Sequence, residues 1–84
     1  MTHITLYSRV GCHLCDVMKE QIEKHRDRYE FTLDVVDIDQ DPKLRAEYDW
    51  DVPVLFVDGE KIAKYKLDEA MLLRRLDGTR SNGQ

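Results

Sequence analysis

Cysteine, proline, glycine and long apolar runs are all scarce in this sequence. Its 84 residues contain two cysteines, two prolines and four glycines. Two cysteines are too few for a small secreted scaffold that depends on several disulfide bridges. No stretch approaches the ~20 consecutive apolar residues that a membrane-spanning helix requires. The sequence therefore argues against a disulfide-rich secreted domain and against a membrane protein.

The charge and the length indicate a small soluble domain. The formal net charge of -4 argues against a general nucleic-acid binder, which needs a basic surface. Eighty-four residues suffice for one domain with a modest hydrophobic core. Because Met1-Thr2-His3 leads straight into a predicted strand, we expect no signal peptide and a cytoplasmic location. In that reducing compartment a persistent structural disulfide is not expected.

The only two cysteines stand two residues apart, in Cys12-His13-Leu14-Cys15. Residues three apart share one face of a helix, so these two sulfurs can form a disulfide with little backbone movement. Free N–H groups and a partial positive charge at a helix N-terminus stabilise a thiolate, which lowers the pKa of the first cysteine. The spacing therefore predicts a thiol–disulfide redox site with Cys12 as the nucleophile.

The first half of the chain predicts two strands and two helices. Alternating apolar residues predict a strand at about residues 2–8, and helical spacing predicts a helix over about residues 12–28. Residues 31–38 are apolar on both faces, which is typical of a strand inside a sheet that is covered on both sides. Asp41-Pro42 supplies the N-cap and first residue of a short helix that ends at about Tyr48.

The second half of the chain predicts a hairpin and a final helix. Residues 54–57 form a continuous apolar strand, Asp58-Gly59 is a strong two-residue turn signal, and residues 60–65 form the partner strand. Asp68 is placed to cap the last helix, and Gly78 to end it. Three apolar residues of this helix are expected to face the sheet: Met71, Leu72 and Leu76.

The predicted order βαβαββα, with a Cys-x-x-Cys at the first strand–helix junction, resembles the glutaredoxin branch of the thioredoxin superfamily. The resemblance depends on the segment 6–11 that leads into the cysteines, on Val52-Pro53, and on the Asp-Gly hairpin behind it. It implies an α/β, thioredoxin-like fold: a four-stranded mixed sheet with helices on both faces. It covers a domain at residues 1–78, and we expect residues 79–84 to form a disordered C-terminal tail.

The resemblance also implies roles for individual residues. Cys12 would attack a substrate disulfide and Cys15 would resolve the mixed disulfide. Pro53 corresponds to a proline whose preceding peptide bond is cis in the family, and it would present the backbone of Val52 to a substrate chain. Five residues are expected to bind or orient the substrate: Arg9, His13, Asp51, Val52 and Pro53. Among these, Arg9 and a protonated His13 would add positive charge near the thiolate, and Asp51 would oppose them.

The glutathione site of the family is altered in this sequence. Asp51 stands where the family has threonine, and the segment 65–68 replaces a glycine pair followed by a polar residue. We therefore expect low activity towards glutathione. The expected partners are a protein or small-molecule disulfide as substrate and glutathione or thioredoxin reductase as electron donor. We expect no nucleic-acid or membrane partner, no bound cofactor and a monomeric protein.

Several alternatives remain open at this stage. The cysteine pair could serve a metal or iron–sulfur carrier, although structural zinc sites require four ligands and the chain has no second cysteine pair. We therefore expect no metal site. His13 could be an exposed spacer, and Arg9 could be a solvated loop cation. Trp50, beside Val52-Pro53, is either core filling or a wall that faces the substrate.

Overall fold

The structure is a computed structural model that describes the backbone of residues 1–81 and the side chains of residues 1–77. Strands and helices alternate along the first half, a hairpin follows, and a helix closes the chain. The elements are β1 (Thr2–Ser8), α1 (His13–Glu23), β2 (Phe31–Asp37), a 3₁₀ turn (Ile38–Gln40), α2 (Pro42–Tyr48), β3 (Val54–Val57), β4 (Glu60–Lys64) and α3 (Glu69–Ser81).

The four strands form one mixed sheet in the order β2-β1-β3-β4. β1 pairs in parallel with β2 and antiparallel with β3, and β3 pairs antiparallel with β4. In this register Tyr7 lies opposite Val54, which lies opposite Lys64. The segments that follow β1, precede β3 and follow β4 therefore meet at one end of the sheet, which we call the dithiol end. The predicted four-stranded mixed sheet of a thioredoxin-like fold is confirmed.

The main core lies between one face of the sheet and the helices α1 and α3. The alternation of β1 buries Ile4 and Leu6 completely, and β3 adds Leu55 and Val57. The apolar residues of α1 and α3 recur at helical spacing, which places one face of each helix against these strands. The helix residues in this core are Met18, Ile22, Leu72 and Leu76.

The predicted caps and turn are present. The side chain of Asp41 accepts a hydrogen bond from the Lys43 N–H at 2.8 Å, and Pro42 begins α2. The backbone φ angles of Asp58 and Gly59 are 49° and 85°, as a type I′ hairpin turn requires. Asp68 caps α3 by accepting from the Met71 N–H at 3.2 Å.

Two predicted boundaries of helices are wrong. α1 ends at Glu23 and does not extend to residue 28. The N–H groups of His25 and Arg26 bond three residues back, which tightens the chain into turns and returns it to the sheet for β2. At the other end of the chain, α3 continues through Gly78 to Ser81. The expected disordered tail falls in part on residues 82–84, which lie outside the described residues.

Two predicted positions in the packing are also wrong. β2 is an edge strand and is not inside the sheet, so its apolar pattern overstates its burial. Val35 is accordingly 44% exposed. Met71 is exposed on α3, while its neighbour Leu72 is fully buried. In addition, β4 ends one residue early, because Tyr65 has a φ of 68°, outside the β region.

Within residues 1–81, no helix has the length and apolar character needed to cross a membrane.

Candidate active site

A tight turn links β1 to α1 and presents the cysteine pair. The Cys12 N–H donates to the Arg9 carbonyl at 3.1 Å. Gly11, third in this turn, has a φ of 83°, which glycine adopts without the steric penalty of a side chain. The turn places Val10 at an exposed tip and delivers Cys12 to the start of α1.

The two cysteines occupy different positions relative to solvent and to the helix. Cys12 is the N-cap residue of α1, and its Sγ accepts a hydrogen bond from the Cys15 N–H at 3.1 Å. The structure joins the two residues by a disulfide, with Cα atoms 5.2 Å apart, inside the usual range. Cys15 is only 3% exposed, whereas Cys12 is partly exposed. Cys12 is therefore the more accessible of the two cysteines.

The loop before β3 lies at the same end of the sheet. The Val52–Pro53 peptide bond is cis, as the family resemblance implied. Pro53 is buried, Val52 is partly buried, and the Pro53 carbonyl accepts the N–H of Tyr65 at 2.8 Å. The expected roles of Val52 and Pro53 in substrate binding stay predictions.

Asp51, in this loop, has partners of its own. Its carboxylate accepts the hydroxyl of Tyr65 at 2.8 Å and lies 3.6 Å from the Lys64 ammonium. The hydrogen bond from Tyr65 is the main cause of a lowered pKa at Asp51, and the same bond raises the pKa of the Tyr65 phenol. Asp51 therefore remains ionised throughout the neutral range. The sequence did not indicate Tyr65 as a functional candidate, because nothing in the chain pattern shows that a tyrosine adopts a left-handed φ of 68°.

Arg9 links three segments of the dithiol end. Its guanidinium donates two hydrogen bonds to the Asp39 carboxylate, both at 3.0 Å. It donates two more to Asp49, to the carbonyl at 2.7 Å and to the carboxylate at 2.8 Å. This network raises the pKa of Arg9 and lowers that of Asp39. Arg9 is therefore paired with two carboxylates and links the loops at this end of the sheet, while its expected role beside the thiolate stays a prediction.

The Arg9 network makes a prediction about acid stability. The pKa of Asp39 in the folded protein lies below its ordinary value of 3.8. The bond between Asp39 and Arg9 therefore contributes its full stability above pH 3.8. This contribution is lost as the pH falls through the lower pKa of the folded protein. Arg9→Gln should therefore lower the urea midpoint near neutral pH, and the deficit should shrink below about pH 3.8. The same substitution at the exposed Arg28 is the control. A deficit that does not change with pH would contradict this role of the ion pairs.

The remaining predicted residues are both solvent-facing. His13 is exposed as the first residue of α1, which fits the exposed-spacer alternative. Trp50 is 83% exposed, so it does not fill the core. Its carbonyl accepts the Tyr65 hydroxyl at 3.3 Å, beside the hydrogen bond of the same hydroxyl to Asp51. The core-filling alternative for Trp50 is therefore wrong, and the wall that faces a substrate stays a prediction.

A groove begins beside Leu14, which stands between the two cysteines in the sequence, and the sequence did not indicate it. It lies between α1 and the segment that joins β4 to α3, is open to solvent, and has a volume of about 410 Å³. Its lining is largely apolar, with a phenol, an amide and an ammonium group at its margins. The residues that line it are Leu14, Val17, Met18, Gln21, Tyr65, Lys66 and Leu67.

Among the described residues, no three His, Cys, Asp or Glu side chains are close enough to hold one metal ion. His3 hydrogen-bonds to Thr32 at 2.8 Å, and His25 to Glu69 at 3.1 Å. Among residues 1–77, Cys12 and Cys15 therefore have no third side chain of these types placed to share a metal ion with them.

Comparisons with known proteins agree with this geometry. The family model described as Glutaredoxin-like domain (DUF836) matches residues 3–77. A glutaredoxin-like protein of Dictyostelium discoideum is 31% identical over 89% of this chain and 75% of its own length. The solution structure of a Nitrosomonas europaea protein has a TM-score of 0.78 and 31% identity, covering 89% of this chain and 91% of that one. A mutant thioredoxin from Halobacterium salinarum has a TM-score of 0.62 at 22% identity, covering 92% and 73%, and that likeness concerns the fold alone.

Proposed function

Because this chain belongs to the glutaredoxin-like domain family, we propose that it is a thiol–disulfide oxidoreductase that acts through Cys12 and Cys15. The thioredoxin-like fold and a Cys-x-x-Cys pair able to form a disulfide support a redox role. The observation that carries the proposal is the position of Cys12. It caps the N-terminus of α1, is partly exposed, and receives an N–H at its sulfur.

The proposed reaction transfers two electrons from the protein to its substrate. The Cys12 thiolate attacks one sulfur of a substrate disulfide, the substrate S–S bond breaks, and one substrate thiolate leaves. Cys15, after losing its proton to solvent, attacks the Cys12 sulfur and releases the second substrate thiolate. The protein is left with the Cys12–Cys15 disulfide that the structure contains. Stabilisation of negative charge at Cys12 by the Cys15 N–H and the helix N-terminus raises the thiolate fraction of Cys12 and so favours the first step.

We also propose the setting in which the protein works. The altered segment around Asp51 and Tyr65 argues against glutathione as the electron donor, which leaves thioredoxin reductase as the other expected donor. A cytoplasmic monomer without a bound cofactor stays our expectation. Reduction of the oxidised protein by each donor, side by side, tests the choice of donor.

The rate of alkylation as a function of pH tests the assignment of the nucleophile. Reduced protein should react with iodoacetamide first at Cys12, with a pKa below the free-thiol value of about 8.5. The reason is that Cys12 is the exposed sulfur at the helix N-terminus, whereas Cys15 is buried. Peptide mapping of the alkylated protein identifies the modified residue. Earlier modification of Cys15, or an ordinary pKa at Cys12, would contradict the proposed mechanism.

A further inference from the structure

The loop of residues 49–53, which leads into β3, is held from two sides. On one side, the Arg9 guanidinium donates to the Asp49 carbonyl at 2.7 Å and to the Asp49 carboxylate at 2.8 Å. On the other side, the Tyr65 hydroxyl donates to the Asp51 carboxylate and the Tyr65 N–H to the Pro53 carbonyl, both at 2.8 Å. Both ends of the loop are therefore tied to residues that directly follow strands of the sheet.

Arg9 also belongs to the turn that carries Cys12. Its carbonyl accepts the Cys12 N–H at 3.1 Å, and its guanidinium donates two hydrogen bonds of 3.0 Å to the Asp39 carboxylate. Asp39 is fixed in turn, because its N–H donates to the Asp37 carboxylate at 2.9 Å. The planar guanidinium fork can serve a carboxylate and a second residue at the same time. A single residue thus sets the position of the loop 49–53 relative to Cys12.

The charge of Arg9 does not explain this arrangement. Arg9 carries one positive charge and its two partners, Asp39 and Asp49, carry two negative charges, so the cluster as a whole is negative. A negative cluster does not favour the ionised form of a neighbouring thiol. The contribution of Arg9 to disulfide exchange is therefore expected to lie in its hydrogen-bond geometry and not in its charge.

The loop 49–53 presents an aromatic side chain at the dithiol end. Trp50 is 83% exposed, yet its carbonyl accepts the Tyr65 hydroxyl at 3.3 Å, so the side chain projects from a fixed backbone. A tryptophan buries a large area when it contacts a ligand. A substrate with peptide chain on both sides of its disulfide can contact this loop, whereas a small disulfide has no chain to place there.

We propose that Arg9, held by Asp39 and Asp49, is a positioning residue for disulfide exchange with peptide substrates. It keeps the loop 49–53 at a fixed distance from Cys12, so that a peptide in contact with the loop presents its disulfide to the Cys12 sulfur. The inference rests on the proposed function and leaves the two-electron reduction described above unchanged. Positioning matters because a misplacement of about 1 Å can slow a reaction about a hundredfold.

Two disulfides test the proposal in single turnovers with excess reduced protein, so that no other reductant is needed. One joins two identical peptides through a cysteine at the centre of each, and the other is bis(2-hydroxyethyl) disulfide, which has no peptide chain. The measured quantity is the ratio of the rate for the peptide disulfide to the rate for the small disulfide. Arg9→Lys should lower this ratio about tenfold, because lysine keeps the charge but places all its donors on one nitrogen. Arg28→Lys, the same change at an exposed arginine, should keep the ratio.

A second variant separates geometry from charge. Arg9→Gln removes the charge as well as the fork, and should lower the ratio as much as Arg9→Lys does. A ratio that survives Arg9→Lys and falls only in Arg9→Gln would overturn the proposal in favour of an effect of charge. Alkylation of Cys12 in Arg9→Lys should keep the pH dependence of the wild type. A shift of this alkylation to higher pH, with equal losses for both disulfides, would place the effect on the thiolate and would also overturn the proposal.

Trp50, the only tryptophan of the chain, reports on the loop directly. Its time-resolved fluorescence anisotropy should show faster local motion in Arg9→Lys than in the wild type and in Arg28→Lys. Equal anisotropy in all three proteins would mean that Arg9 does not hold the loop, and would overturn the proposal. Each of these contrary results, with an active wild type, overturns this inference alone. A wild type that reduces neither disulfide overturns the proposed function and this inference with it.

Discussion

Cys12→Ser should reduce disulfides no faster than the uncatalysed background. Cys15→Ser should form the mixed disulfide between Cys12 and the substrate and should stop there. Exchange requires a thiolate that can reach the substrate, and of the two cysteines only Cys12 is both partly exposed and at the helix N-terminus. Without Cys15 nothing within the molecule attacks the mixed disulfide. Mass spectrometry of each variant after incubation with a disulfide substrate should therefore detect a mixed disulfide on Cys15→Ser and none on Cys12→Ser.

The two variants are matched controls for each other. Serine is close in size to cysteine and keeps the backbone N–H that bonds to position 12, so the fold should be unchanged in both. Circular dichroism of both variants checks this point. Accumulation of a mixed disulfide on Cys12→Ser, with none on Cys15→Ser, would reverse the assigned roles.

The parts of the fold that depend on neighbouring residues could be predicted from the sequence. The cap at Asp41, the turn at Asp58-Gly59 and the cysteine pair at the start of α1 are all set by contacts within a few residues. The cis bond before Pro53 was predicted from a resemblance and is confirmed. Local hydrogen bonds and steric preferences determine most of these features, so short patterns carry their information.

The features that the sequence did not indicate depend on distant residues. Arg9 meets Asp39 and Asp49 across 30 and 40 positions of the chain, and any of several acidic residues could have been its partner. The edge position of β2 depends on strand order, which an apolar pattern does not specify. The groove joins α1 to Tyr65 and its neighbours, two segments that are far apart in sequence.

Glutathione should reduce the oxidised protein slowly, and Asp51→Asn should accelerate this reaction about three- to tenfold. Glutathione carries two carboxylates and a net negative charge at neutral pH. Asp51 adds another carboxylate beside the cis-proline loop, and its lowered pKa keeps it ionised there. Repulsion between these charges opposes the approach of glutathione, and Lys64, at 3.6 Å from Asp51, offsets it only in part.

The choice of asparagine isolates the charge. Its amide oxygen can still accept the Tyr65 hydroxyl, so the loop keeps its shape while the negative charge is removed. Asp58→Asn makes the same change in the hairpin turn at the opposite end of β3, where asparagine tolerates the φ of 49°. The rate at which glutathione reduces the Cys12–Cys15 disulfide should rise for Asp51→Asn and stay unchanged for Asp58→Asn. Reduction by dithiothreitol, which is uncharged, should be equal in all three proteins.

Salt concentration distinguishes repulsion from a steric effect of Tyr65. The screening length falls to about 3 Å at 1 M salt, so an electrostatic gain from Asp51→Asn should largely disappear there. If the Tyr65 ring itself obstructs glutathione, Asp51→Asn should have no effect, and Tyr65→Gly should be the faster variant, since glycine suits the φ of 68°. Equal rates of reduction by glutathione for the wild type, Asp51→Asn and Tyr65→Gly would contradict both explanations, the repulsion by Asp51 and the obstruction by the Tyr65 ring. In that case the altered segment would be no barrier to glutathione.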